Sequence, residues 1–170
     1  MKQILILITV LILPFFTWAA SSQSSDSRFT YDVSGSQSTQ NGKSYQEINL
    51  GLNWFMQDWL IWRNSAFQRQ GDEIDTIYGL DSSLRLQQEW LNDSRTLGFK
   101  IFGGPGVRFA SSDSNAYFGE AGVGIRLAGI MVGAGVKSLH YFSTRHDKTG
   151  AKLPEDENQV FISLSGGGAF

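Results

Sequence analysis

The chain reads as an all-β protein, an eight-stranded antiparallel up-and-down transmembrane β-barrel. Three observations predict this. Apolar side chains alternate with small or polar ones, at period two, in eight successive runs. The connections between runs alternate between short turns and more polar, mostly longer loops. Tryptophans gather beside the short turns and tyrosines beside the loops.

The N-terminus precedes this pattern. Lys2, the apolar run "ILILITVLILPFF" and the small residues Thr17 and Ala19 form a secretory signal peptide over residues 1–20, expected to be removed. A membrane anchor fits less well, because the run falls short of the ~20 apolar residues a spanning helix needs and contains Pro14. "SSQSSDS", residues 21–27, reads as a flexible leader, and residues 28–170 as the barrel. The absence of cysteine rules out a disulfide, a thiolate nucleophile or metal ligand, and a lipid-modified cysteine. A formal net charge of −2 offers no footprint for nucleic acid.

The first run, Arg28 to Gln37, sets Phe29, Tyr31 and Val33 against Thr30, Asp32 and Ser34. The second, Ser44 to Phe55, sets Ile48, Leu50, Leu52 and Trp54 against Glu47, Asn49, Gly51 and Asn53. The third, Trp59 to Gln70, alternates poorly: Arg63 shares a face with Ile61 and Phe67, so a bulge is expected. The fourth, Ile77 to Leu91, sets Tyr78, Leu80, Leu84, Leu86 and Trp90 against Asp81, Arg85 and Glu89. The fifth, Thr96 to Ser111, opposes Leu97, Phe99, Ile101, Val107 and Phe109 to Lys100, Gly104 and Arg108, with a bulge or strand end expected at Pro105. The sixth, Ala116 to Leu127, opposes Tyr117, Val123 and Ile125 to Glu120 and Arg126. The seventh, Ile130 to Phe142, opposes Val132, Ala134 and Val136 to Gly133, Gly135 and Lys137. The eighth, Gln159 to Phe170, opposes Val160, Ile162 and Leu164 to Ser163, Ser165 and Gly167.

The turns after the second, fourth and sixth runs are "MQD", "NDSR" and "AG"; the loops after the others are "SQSTQNGK", "GDEIDT", "SDSN" and "STRHDKTGAKLPEDEN". An even-numbered sheet with this alternation closes on itself and has no edges.

Alternation alone fits two barrels of opposite polarity. A soluble lipocalin-like carrier would turn Leu50, Leu52, Val123 and Ile125 inward; a membrane barrel turns them outward. The polar face favours the membrane barrel. Asp32, Glu47, Arg63, Asp81, Arg85, Lys100, Arg108, Glu120, Arg126 and Lys137 carry both signs and are interleaved with glycines, as a paired charge network in a narrow lumen requires. Large side chains such as Phe55, Ile61 and Phe67 are expected to fill the space beside those glycines. The aromatics agree: Trp54, Trp59, Trp62, Trp90 and Phe170 form one expected interface girdle, and Tyr45, Tyr78, Tyr117 and Tyr141 the other.

The final strand ends on Phe170, preceded at two-residue steps by Gly168, Gly166, Leu164 and Ile162. Here the sequence resembles the small eight-stranded outer-membrane barrels typified by the outer-membrane protein A barrel domain. The resemblance implies an outer-membrane, porin-like architecture with both termini periplasmic, contact with outer-membrane lipids, and a terminal strand read by the barrel-assembly machinery. Glycines stand at two positions where that family has larger apolar residues.

One segment invites a search for chemistry. "SLHYFSTRHD", Ser138 to Asp147, holds both histidines, two serines and an acid. A lipid A deacylase of similar size places a serine two residues after a histidine; here that position is Phe142, and Ser143 lies one further on. Ser138 and His140 share a face, expected to be the lipid side near the outer rim. "FGGPGVRF" opens no helix and lacks the Lys-Ser/Thr of a phosphate loop, and "DEIDT" and "PEDEN" lack EF-hand spacing. The expected function is therefore non-enzymatic, without cofactor, in a monomer that is structural or presents its fourth loop. The alternatives are a lipid-modifying hydrolase and a soluble carrier.

Overall fold

The computed structural model describes residues 29–40, 42–71, 74–94 and 96–166. The expected signal peptide, leader and terminal Phe170 lie outside these residues. Eight strands follow in order: β1 Phe29–Gln40, β2 Lys43–Gln57, β3 Leu60–Gly71, β4 Ile74–Leu91, β5 Leu97–Ala110, β6 Ala116–Leu127, β7 Ile130–Tyr141 and β8 Asp156–Gly166. Each pairs antiparallel with the next, and β8 returns to β1 through pairs such as Val33↔Leu164, closing the barrel.

The barrel is inside out relative to a soluble one. Leu50, Leu52, Val123 and Ile125 lie on the outer wall, 38–51% exposed, whereas Arg63 and Arg108 inside are 2% and 1% exposed. A lipocalin-like apolar interior is thereby contradicted. The period of two explains the result, since every charged lumen residue shares parity with its polar neighbours along the strand.

Three expectations about the strands need correction. Connections expected to be long are mostly hairpins. Gln40 pairs directly with Lys43, leaving the two-residue Asn-Gly step, with Gly42 at φ 77°. Strands β3 and β4 likewise extend to Gly71 and Ile74. Only β7–β8, across Phe142 to Glu155, has a long connection, called L4 below. Strand β3 keeps a continuous ladder with β2 from Tyr45↔Gly71 to Phe55↔Ile61, and Ile61 and Phe67 point inward; its register shifts only against β4, between Arg69 and Gly71 at the loop end, and not around Arg63. Pro105 neither ends nor shifts β5. Its pairing with β6 runs unbroken through Pro105↔Gly119, and only the β4 ladder opens, between Ser83↔Gly106 and Leu86↔Gly103. There the Leu84 carbonyl oxygen occupies the place of a Gly104 side chain, 1.9 Å from where a Cβ would sit.

Candidate functional site: a filled lumen and an outer-rim histidine

The lumen charges assemble in layers. Nearest the short turns, Arg126 on β6 holds Glu89 on β4 at 2.6 Å. In the middle, Arg63 donates to both oxygens of Asp32 at 2.6 and 3.0 Å, and Asn53 adds a third bond at 2.7 Å. Beside it, Arg85 donates to both oxygens of Glu120, with the Ser83 hydroxyl donating at 2.7 Å. Nearer the loops, Glu47 accepts from Arg69 and Arg108, Arg108 also holds Asp81, and Lys137 reaches Asp81 at 2.7 Å. Guanidinium forks suit such carboxylate sharing because each presents several donors in one plane. Lys100 lines a small cavity with Asp32, Asn53, Arg85 and Gln87.

Residues not anticipated complete the upper network. Glu157 accepts from Arg69, Tyr45, Gln40, Tyr141 and Gln159. Arg145 of L4 descends onto the Tyr141 ring, 3.1 Å from its centroid, and Leu153 of the same loop is buried. L4 thus caps the loop-end mouth of the barrel.

Glycine and phenylalanine fill the rest. A Cβ at Gly79, Gly106, Gly122 or Gly135 would lie 2.3–2.6 Å from a ring atom of Phe67, Phe118, Phe102 or Phe161. Each is a direct cross-strand pair: Phe67↔Gly79, Gly106↔Phe118, Phe102↔Gly122 and Gly135↔Phe161. The rings come mainly from the glycine-rich wall itself, and not only from β2–β4 as expected. Among the described residues, two small lumen cavities of about 40 and 10 Å³ share Arg85 in their lining. A single water needs roughly 10–15 Å³ by this measure.

The outer wall carries two aromatic levels. Trp54, Trp59, Trp62 and Trp90 are 37–55% exposed. Trp54 packs on Trp62 and Phe29, with ring centroids 5.7 and 5.8 Å away, and Trp62 Nε1 donates to Ser82 Oγ. Tyr78 and Tyr117 are exposed near the loops. Tyr45 and Tyr141 are not part of that level: they are 1% and 2% exposed, inside, with both hydroxyls on Glu157. Tyr45 shares parity with Glu47, which the lumen network requires to face inward.

At the loop-end rim, His140 sits on the outer wall between two ladder partners, Tyr117 on β6 and Asp156 on β8. Its ring lies 4.8 Å from that of Tyr117, and Nδ1 is 2.7 Å from Asp156 Oδ1. An ionised carboxylate only accepts, so Nδ1–H donates and Nε2 is left as the basic nitrogen. Ser138 lies one step below on the same exposed wall. Among the described residues no serine hydroxyl is hydrogen-bonded to His140. The sequence did not indicate Asp156, because it faces His140 only through the β7–β8 register.

No protein-family model matches the chain, and no curated protein matches it in sequence. Among solved structures, the barrel is similar to the crystal structure of the outer membrane enzyme PagL, with a TM-score of 0.51. The two are 16% identical, over 78% of this chain and 97% of that one. At that identity the likeness shows the fold: a closed, all-antiparallel eight-stranded barrel resembling an outer-membrane protein.

Proposed function

We propose that the chain is a monomeric, non-enzymatic barrel of the bacterial outer membrane, with its termini in the periplasm and L4 presented outside. The observation that carries this reading is the filled lumen: among the described residues, ion pairs and phenylalanine rings occupy the interior, and the two cavities that Arg85 lines measure about 40 and 10 Å³. Such an interior resists ion flow and gives the barrel a rigid frame for its outer loop. The apolar outer wall supports lipid as its surroundings. Fractionation tests the location: the protein should stay with the outer membrane and change its gel mobility on heating. Planar-bilayer recording tests the lumen, which should show no steps of conductance.

The His140–Asp156 contact favours a second reading, a hydrolase acting on lipid at the outer rim, with His140 Nε2 as general base and Ser138 as the candidate nucleophile. The similarity to an outer membrane enzyme points the same way. Against it stands the missing serine–histidine hydrogen bond. Comparing membrane lipid profiles from cells carrying the wild type and His140→Ala separates the two readings. Identical profiles keep the first, and an acyl chain lost only with the wild type establishes the second.

A further inference from the structure

The larger lumen cavity, about 40 Å³, opens among residues at the short-turn end of the strands. Its charge is unbalanced. Three carboxylates in this half of the lumen, Asp32, Glu89 and Glu120, are taken by three arginines, Arg63, Arg126 and Arg85. Lys100 is the fourth cation. Its ladder partner Glu89 accepts its hydrogen bonds from Arg126, so Glu89 and Asp32 act on Lys100 only through space; among the described residues no carboxylate is within ion-pair distance of Lys100 Nζ, which lies 5.9 Å from the Phe102 ring centroid.

Two hydrogen-bond acceptors in the same cavity are also unsatisfied. Asn53 donates through Nδ2 to Asp32, and Gln87 through Nε2 to the Asp58 carbonyl, which fixes the orientation of both amides. Asn53 Oδ1 and Gln87 Oε1 are buried without a donor. Leaving such groups unpaired is costly, so the site is complementary to a ligand that brings negative charge and a hydrogen-bond donor together.

We propose that this cavity is a binding site for one small hydroxyl-bearing oxyanion of the inorganic phosphate class, entering from the periplasmic end. Lys100 supplies the cation, the Ser163 and Ser165 hydroxyls lining the cavity supply further donors, and the two P–OH groups of the phosphate monoanion donate one to each amide oxygen. The volume holds about three water-sized centres, which suits one tetrahedral anion and excludes a nucleotide or sugar phosphate. The barrel wall separates the site from lipid headgroups, so the ligand is the free anion. This site is independent of whether the outer rim is catalytic.

Calorimetry on the refolded full barrel in detergent tests the assignment. Phosphate should bind saturably, one per barrel, with sulfate weaker by about tenfold or more because it carries no hydrogen at neutral pH. Lys100→Met should weaken phosphate by a similar factor, and Lys152→Met, on the exposed loop, should not. Equal binding of sulfate and phosphate, unchanged binding in Lys100→Met, or no saturable phosphate binding would each overturn the proposal. If Lys100→Met does not refold, the phosphate–sulfate comparison on the wild type and on Ser163→Ala/Ser165→Ala still decides it.

Discussion

Arg108 lays both terminal guanidinium nitrogens on the carboxylate of Glu47, at 2.7 and 3.0 Å, while its Nε reaches Asp81 at 2.7 Å. Glu47 also accepts from Arg69, so one carboxylate serves two guanidinium groups from β3 and β5. Both Glu47 and Arg108 are 1% exposed. Glu47→Ala would leave two buried cations short of an acceptor. Removing one partner of a buried ion pair costs about 3–5 kcal/mol. Reversible urea unfolding from lipid vesicles should show a loss of that size. A loss below about 1 kcal/mol, the scale of a surface pair, would mean that water reaches the network.

The glycine–phenylalanine pairs predict a sharp contrast between neighbouring glycines. At Gly122 a Cβ would meet Phe102 Cζ at 2.5 Å and the Ala134 carbonyl oxygen at 2.6 Å. The ring could turn but the carbonyl could not, so Gly122→Ala should destabilise by about 1–3 kcal/mol, with only partial recovery on adding Phe102→Leu. Gly119 lies three residues earlier on the outer wall with nothing within 4 Å of its Cβ position. Gly119→Ala should stay within about 0.5 kcal/mol of the wild type. Unfolding midpoints of the three variants check the ordering.

These pairs also mark where sequence reading stopped. Period-two parity placed Asp32, Glu47, Arg63, Asp81, Arg108, Glu120 and Lys137 on one face, and the structure brings them together there. The same parity put Tyr45 with Glu47, yet its nearness to a loop suggested the membrane interface. Phe102, Phe118 and Phe161 carry no signal of their own in the sequence, because each fits the glycine across the ladder and that pairing needs the register. Glu157 was hidden in the acidic "PEDEN", which reads as solvated loop. Its role depends on Arg69 from β3, 88 residues away, as does His140 on its partner from β8. The Asn-Gly step within "SQSTQNGK" is a two-residue hairpin signal in its own right, and Gln40 pairs with Lys43 across it.

The outward polarity of the wall predicts a depth-dependent cost for arginine. Val123 is 47% exposed on β6, between Tyr117 and the turn-end Leu127. Val123→Arg should cost about 2–4 kcal/mol near the bilayer midplane, against about 0–1 kcal/mol for Trp59→Arg beside a short turn. Folding yields and unfolding midpoints in vesicles report both. Equal small costs would place the wall in water.

L4 is pinned through Asp147, which predicts its response to acid. Asp147 Oδ1 accepts from the Thr149 hydroxyl, the Thr149 amide and the Ala151 amide, while Oδ2 holds Lys43 at 3.2 Å. These bonds, the Thr149 hydroxyl foremost, hold the carboxyl well below the usual carboxylate range against the opposing effect of desolvation. The folded value is the lower one, so the contribution is fully present above the ordinary aspartate value of about 3.9 and is lost as pH falls through the folded value. L4 should therefore remain closed from neutral pH down to about 4 and loosen only in stronger acid. Hydrogen exchange at the Thr149 and Ala151 amides, measured across that range on the folded barrel, should show protection falling at the acid end. In Asp147→Asn, protection should be lower at neutral pH and insensitive to acid. Loosening already at pH 5–6 would assign the clasp to another group.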